Sequence, residues 1–423
     1  MCNAKLVKAA SICDKYQDWV NIGTNQLVLD WVKNGVKIPF NSIPNNYCEY
    51  NRPSTQKHLE FVSQELINLQ KTGAISQVNT KPQVISPLHC VPKKGNKLRL
   101  ILDLRWLNQH ITAPKFTNEG INVACDLIQT GDRLAKLDLR DGFHHLKIHK
   151  DFRTYLGFQW QGRYYVYNVL VFGLNISPWC FYKLLRPVVE HCRDNGLRLV
   201  LNVDDCLLLC EPASFDRTLQ FVVNLFHSLG LHINYEKSVL VGQTSIEFIG
   251  YCLFSTSSTG YPVLKIPGKR IHKLKQDIKR AFQKETITAR KLAKLAGQCI
   301  AMVRVILPGK LLLRSVYRLL STKKSWEDVL TFDQATLREL TWWRESVSKW
   351  NTQQIHLGPL DCQMTCNTSG TGWGAQFGEK HASGVWNTRL SQSHTNYREL
   401  MAILLTLKSF KDELINKHVQ IFI

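Results

Sequence analysis

The spacing of apolar positions changes several times along the chain, and each change predicts a different element. Residues 1 to about 80 read as mainly helical, with Pro39, Pro44 and Pro53 breaking an extended stretch ahead of a helix around His58 to Thr72. From Ser86 the apolar runs become short and β-rich. Pro87 to Arg105 reads as a hairpin turning at Gly95-Asn96, and Tyr155 to Tyr167 as an aromatic hairpin turning at Gln161-Gly162. Helical spacing returns at Ser177-Pro178, where Phe181, Leu184, Leu185, Val188 and Val189 share one face and Pro187 is a candidate kink. A helix from Ser214 to Leu229 and strands around Ile233 and Phe248 follow.

Two of these runs carry acids where apolar residues are expected. Asp138 ends the strand-like Ala135-Lys-Leu-Asp, and Asp204-Asp205 stand between Val200, Leu201, Val203 and Cys206, Leu207, Leu208, Leu209. An Asp-Asp dipeptide alone is usually a solvated turn, but these flanks read as two buried strands of a hairpin with the acids at its tip. Burying carboxylates without partners costs several kcal/mol or keeps them protonated, so such groups usually hold a cation. The proposed cation is a pair of Mg²⁺ ions, with Mn²⁺ as the substitute. Two such ions about 4 Å apart activate an attacking hydroxyl and stabilise a leaving phosphate, which is polymerase chemistry.

Charge supports a polyanionic partner. The 423 residues carry 54 Lys+Arg against 33 Asp+Glu, a formal charge of +21. The densest basic stretch is 266–324, expected to be helical, with sixteen Lys/Arg against Asp277 and Glu285; Lys269, Lys273, Arg280 and Lys284 fall near one helical face. No apolar run approaches the roughly 20 residues that span a bilayer, and the first residues lack the apolar core of a signal peptide. The thirteen cysteines contain no Cys-x-x-Cys pair, which argues against a zinc site and fits reduced thiols. A cytoplasmic or nuclear protein that is not secreted and does not enter membranes is the expectation. Oligomeric state is not legible.

The order of the motifs resembles that of retroelement reverse transcriptases, over about residues 85 to 260. Asp138-Leu-x-x-Gly-Phe-His is similar to the first acidic motif of the palm and Asp204-Asp205 to the second. The resemblance implies that Asp138, Asp204 and Asp205 are catalytic metal ligands, with the Leu139 carbonyl as a further ligand and Phe143 as an aromatic gate against a 2′-hydroxyl. Leu170-Val-Phe-Gly-Leu-Asn-Ile-Ser-Pro-Trp resembles the segment supporting template and nucleotide, which assigns Phe172 and Gly173. Lys93 or Lys94 with Arg99 matches the triphosphate-holding finger residues, and Asp103 with Arg105 the family's Asp-x-Arg pattern. Lys237 matches a lysine suggested as general acid, and Phe248-Ile-Gly250-Tyr251 the primer-gripping hairpin. The implied partners are an RNA template, a DNA or RNA primer and deoxynucleoside triphosphates.

The implied fold is α+β: a right-hand polymerase with fingers, an antiparallel palm sheet and a helical thumb, followed by an incomplete α/β ribonuclease H-like domain. The corresponding segments are an N-terminal mainly helical region at 1–84, fingers and palm at 85–262, a basic thumb at 263–325, a connection at 326–355 and the ribonuclease H-like end at 356–423. Leu29 to Gly35, Arg290 to Gly297 with Leu307 to Lys310, and Gly372-Trp-Gly-Ala with Gly384-Val-Trp resemble the DIRS-type retrotransposons.

Three departures stand out. Asn202 occupies the place of an aromatic residue before the paired acids, and Val171 that of a proline. In the C-terminal region Asn367 stands where the ribonuclease motif carries Asp, although Glu399 matches its second acid; cleavage of RNA strands is therefore expected to be absent. The alternative to a polymerase is a decayed or co-opted element fragment that binds nucleic acid without catalysis.

Overall fold

The computed structural model describes residues 8–93, 95, 97–258, 260–356, 358–415 and 417–423. Its centre is a four-stranded antiparallel sheet in the order Val239–Gln243, Arg133–Asp138, Asp205–Cys210, Arg198–Asn202. Period-two alternation divides this palm sheet between two cores. Ala135, Leu137, Leu201, Cys206 and Leu208 face one; Leu134, Val200, Leu207 and Leu209 face the other.

The first core is closed by the helix Ser177–Asp194. Phe181, Leu184, Leu185, Val188 and Val189 are all buried there, as their spacing predicts, and Pro178 sits in the first turn where its missing N–H costs nothing. Pro187 lies inside the helix without ending it. The helix Phe215–Ser228 matches its expected span within a residue at each end. Ile233 forms only an isolated bridge to Leu139, so the strand expected there is a single contact.

The fingers are built from distant pieces. A five-stranded sheet runs Tyr47–Cys48, Val84–Ile85, Gly157–Trp160, Arg163–Tyr167, Ile75–Val78. Its aromatic hairpin turns at Gln161 (φ +47°) and Gly162 (φ +77°), the left-handed pair a two-residue turn demands. Because strands from both sides of residue 84 share this sheet, the expected break between 84 and 85 is crossed by backbone pairing. A separate hairpin, Leu88–Lys93 with Lys97–Leu102, pairs Lys93 with Lys97 and leaves Gly95 in the turn. Lys94 and Asn96 lie outside the described residues.

On the far side of the palm, the hairpin Ser245–Phe248/Tyr251–Phe254 pairs with Val263–Lys265 and then Gln353–Gln354. The helices Gly268–Ala281, Ala289–Ile300, Arg314–Ser321 and Gln334–Ser346 pack beside it in the second core. Ile271, Leu274 and Ile278 bury one face of the first of these helices, leaving Lys269, Lys273 and Arg280 exposed; Lys284 falls beyond its end. Trp343, fully buried, reaches from 334–346 into 307–313, where a Cβ on Gly309 would meet its ring at 2.6 Å. Residues 326–355 thus share the core of the basic helices. A strand pair, Thr286–Thr288 with Val329–Thr331, joins the two segments.

The C-terminal region has its own small core of Met364, Cys366, Ala375 and Phe410. Its sheet runs Lys380–Val385, Gly372–Phe377, Cys362–Thr368, Val419–Phe422, with the last pair parallel, and the helix Thr395–Ser409 packs on it.

Candidate active site

The three acids meet at one end of the palm sheet. Asp205 is the register partner of Asp138, and Lys136 that of Leu207, so Asp138, Asp205 and Lys136 project from the same face. Asp204 occupies the two-residue turn behind Val203, whose φ of +55° is unfavourable for a β-branched side chain. Backbone bonds tie the cluster together: Leu139 N–H donates to Asp204 O at 2.8 Å, and Asn234 N–H to Asp138 O at 2.7 Å. Asp138 N–H donates to Ser238 Oγ at 3.0 Å.

Their charges are incompletely satisfied. Asp138 is 7% exposed, and neither its Oδ1 nor Asp205 Oδ1, both buried, accepts a hydrogen bond. Lysines approach both: Lys237 Nζ lies 3.5 Å from Asp138 Oδ1 and Lys136 Nζ 3.1 Å from Asp205 Oδ1, without hydrogen-bond geometry. Burial raises the Asp204 carboxyl above its ordinary value, and Asp205 and Asp138 add to the shift; a backbone hydrogen bond at Asp204 and Lys237 oppose it. Among the described residues no three His, Cys, Asp or Glu side chains converge into a ready-made ion cage. Hard carboxylate oxygens, buried and without hydrogen bonds, nevertheless suit a divalent cation in donor type and setting, with the two lysines standing where positive charge is needed.

Beside the acids, the turn Gly142–His145 carries Phe143, which is buried against Phe172 (4.7 Å between ring centroids) and Phe181 (5.7 Å). Phe172 itself is half exposed. Gly142 sits in a close approach: a Cβ there would lie 3.0 Å from Phe181 Cζ, so that ring would have to shift, and in ordinary contact, 3.7 Å, with Asp204 Cβ. The Phe172-Gly173 loop is anchored by Asn108, whose Nδ2 donates to Gly173 O and whose Oδ1 accepts from Asn175 N–H, and by Ser177 Oγ donating to Val171 O. Gly173 has φ +99°, a left-handed conformation that favours glycine.

The other expected site residues divide. Lys93 and Arg99 share one face of the separate hairpin and are exposed. They make no ion pair among the described residues and no bond to the three acids. Asp103 and Arg105 form a bidentate pair (2.9 and 2.7 Å) joined by Arg52, and the Arg105 guanidinium holds the Asp103 carboxyl well below its usual range. Phe248 is 1% exposed and its ring belongs to the second core. The turn beside it, Ile249-Gly250, is bound by Arg270 through Gly250 O, and Tyr251 Oη donates to Ala301 O.

Sequence reasoning missed Glu119. It accepts from Arg193 and from Leu201 N–H, while its carbonyl accepts from Asn202 Nδ2 at 2.8 Å, which ties the amide of Asn202, the register partner of Asp205, to the Glu119 backbone. No motif announces Glu119, because its partners lie more than sixty residues away. In the C-terminal sheet, Asn367 is exposed and its Oδ1 accepts from Thr368 N–H, while Glu399 is half-buried on the neighbouring helix.

A palm sheet with paired acids at a hairpin tip, flanked by fingers and a helical thumb, is the right-hand polymerase fold of α+β class. Residues 91–253 match the family model of reverse transcriptase (RNA-dependent DNA polymerase). Over those residues the chain is similar to reverse transcriptases, and the relatives it matches include retrotransposon polyproteins. The Transposon Tf2-3 and Tf2-7 polyproteins of Schizosaccharomyces pombe (strain 972 / ATCC 24843) are each 21% identical over 96% of this chain. The chain spans 30% of the length of these relatives. Among solved structures, the foamy viral protease-reverse transcriptase in complex with dsDNA superposes with a TM-score of 0.63 at 16% identity, covering 96% of this chain and 88% of that one. The same protein in complex with RNA/DNA hybrid gives 0.59 at 17% identity, covering 96% and 57%. Among the described residues no helix is long and apolar enough to cross a membrane.

Proposed function

We propose that this chain is the RNA-directed DNA polymerase of a retrotransposon, joining a deoxynucleoside triphosphate to a primer 3′-hydroxyl on an RNA template. The observation that carries the proposal is the cross-strand pairing of Asp138 with Asp205, with Asp204 at the adjoining turn and two buried carboxylate oxygens lacking hydrogen bonds. These three acids would hold two Mg²⁺ ions, which when bound supply Lewis-acid activation of the hydroxyl and charge neutralisation at the phosphates. Phe143 lies where a bulky ring excludes a 2′-hydroxyl, and Phe172 with Gly173 forms the loop beneath the nascent base pair. Lys93 and Arg99, uncompensated and exposed, hold the triphosphate as cations around a polyanion. Lys237, beside Asp138, protonates the departing pyrophosphate. The turn at Ile249-Gly250 and Tyr251 grips the primer through backbone and ring edge, leaving Phe248 to the core.

The exposed cations of the basic helices contact the nucleic-acid backbone. Lys273 and Lys284 make no ion pair among the described residues, whereas Lys269 pairs with Glu247 and Arg280 with Asp277. We further propose that the C-terminal sheet is a ribonuclease H-like fold without strand cleavage, since neutral Asn367 is a poor ligand for a hard cation. The DIRS-type subgroup is proposed on sequence resemblance alone, and a tyrosine recombinase reading frame in the same element is its test.

The polymerase reading is tested by extending a DNA primer on an RNA template with purified protein. Extension is expected to require Mg²⁺ and to vanish in Asp204→Asn while salt-sensitive binding of the primer-template persists. Extension surviving in Asp204→Asn contradicts the assignment. Binding without extension by the unsubstituted chain selects the non-catalytic alternative.

A further inference from the structure

His145 has no role in the chemistry above, yet it is the best-connected buried polar side chain near the acids. It is 2% exposed. Its Nδ1 lies 2.8 Å from Gly142 O and its Nε2 2.9 Å from His232 N. A carbonyl only accepts and a backbone N–H only donates, so Nδ1 carries the proton and Nε2 is the acceptor. The two bonds fix one neutral tautomer, and a second proton on Nε2 would confront the His232 N–H. The ring is stacked with Phe181 and with His232.

The segment it bridges to is bound to the first acidic motif. Arg140 N–H donates to His232 O, Leu139 forms a bridge with Ile233, and Asn234 N–H donates to Asp138 O. His145 therefore closes a ring of contacts containing Asp138, the Gly142–Phe143 turn and residues 232–234. From the other side, Ala10 N–H donates to His144 O. Backbone bonds from His144 N–H to Asp141 O and from Leu146 N–H to Phe143 O shape the turn itself, and the His145 bridge ties it to residues 232–234.

We propose that His145 is a positioning residue for sugar selection: its neutral imidazole, joined to Gly142 O and the His232 N–H, sets where Phe143 stands relative to Asp138. The proposal rests on the reading of Phe143 as the sugar gate. It differs from a general stabilising role because displacing the ring changes the ratio of deoxy- to ribonucleotide use, whereas lost stability alone lowers both.

The experiment measures kcat/KM for dCTP and CTP in the unsubstituted chain, His145→Phe and His145→Gln. His145→Phe keeps the ring volume without the bridge and is expected to lose about tenfold of the deoxy preference, in line with the cost of sub-ångström misplacement. His145→Gln, which retains an acceptor toward the His232 N–H, is expected to recover part of that loss. An unchanged ratio in both variants overturns the proposal. Amide exchange of residues 228–236 in the unsubstituted chain and His145→Gln reports the bridge independently, and it stands if His145→Phe fails to fold. Protection of His232 supports the bridge, and exchange as fast as an open loop overturns it. Incorporation of neither sugar by the unsubstituted chain would instead refute the polymerase reading and the sugar role with it, leaving the exchange result to speak for the bridge alone.

Discussion

Asp138 and Asp205 oppose each other directly across the central antiparallel pair of the palm, while Asp204 reaches their end of the sheet only through a turn that begins with Val203 in a left-handed conformation. That turn holds strain of about 1–3 kcal/mol, concentrated where the acids are positioned. Val203→Gly is expected to remove the strain, at some cost in chain entropy, for a net gain of about 1 kcal/mol in urea unfolding. Extension should slow, because Asp204 loses its fixed approach. A destabilised variant would show that the turn is not strained.

Gly142 separates Phe181 from Asp204, so even a methyl group forces the Phe181 ring to move. Gly142→Ala is expected to cost about 1–3 kcal/mol, as overpacking does, and to lower extension beyond what the stability loss explains. Thermal unfolding and single-nucleotide incorporation, compared in one preparation, check both.

Burial holds the His145 imidazole at a pKa of about 4, down from 6.5, opposed by the Gly142 carbonyl and assisted by His232 and His144, with Asp141 facing it as the nearby acid. The unfolded chain then binds more protons than the folded one between these values. Stability from this group is complete above pH 6.5 and falls as pH drops toward about 4, by about 3 kcal/mol in total. Urea midpoints measured from pH 7 to pH 4 should fall more steeply in the unsubstituted chain than in His145→Phe.

Much of this site was legible because its signals are local. The acids sit inside period-two apolar runs, and the strands Arg198–Asn202 and Asp205–Cys210 follow from the residues themselves. The same holds for the helix Ser177–Asp194, whose buried face repeats every three to four residues. Pairings between distant short segments were not legible. Strands of two residues such as Tyr47–Cys48 and Val84–Ile85 carry no periodicity, and their place in the fingers sheet depends on Gly157–Trp160 far along the chain. The burial of Phe248 was not legible either, because the helices that cover it come later in the chain. His145 and Glu119 act through backbone groups remote in sequence, which no spacing reveals.

Arg198 and the buried Asp132 form a bidentate pair at 2.6 and 2.7 Å, joining the edge of the palm sheet to the loop before its Arg133–Asp138 strand. Asp132→Ala leaves Arg198 uncompensated and is expected to cost about 3–5 kcal/mol in thermal or urea unfolding. A loss below about 1 kcal/mol would mean that the pair behaves as a solvated surface contact.

Asn202, the register partner of Asp205, donates its amide to the Glu119 carbonyl. Asn202→Tyr places an aromatic ring at the start of the paired-acid motif and is expected to raise the rate of primer extension. An unchanged or lower rate would show that the missing ring does not limit this chain.

The proposed chemistry depends on the three acids as metal-holding groups. The most direct measurement is the single-turnover rate of adding one deoxynucleotide to an RNA-templated primer, compared between the unsubstituted chain and Asp138→Asn at saturating Mg²⁺. Loss of about 4 kcal/mol or more of transition-state stabilisation is expected, a fall of at least about a thousandfold with primer-template affinity retained. A rate within tenfold of the unsubstituted chain would contradict the central role assigned to Asp138.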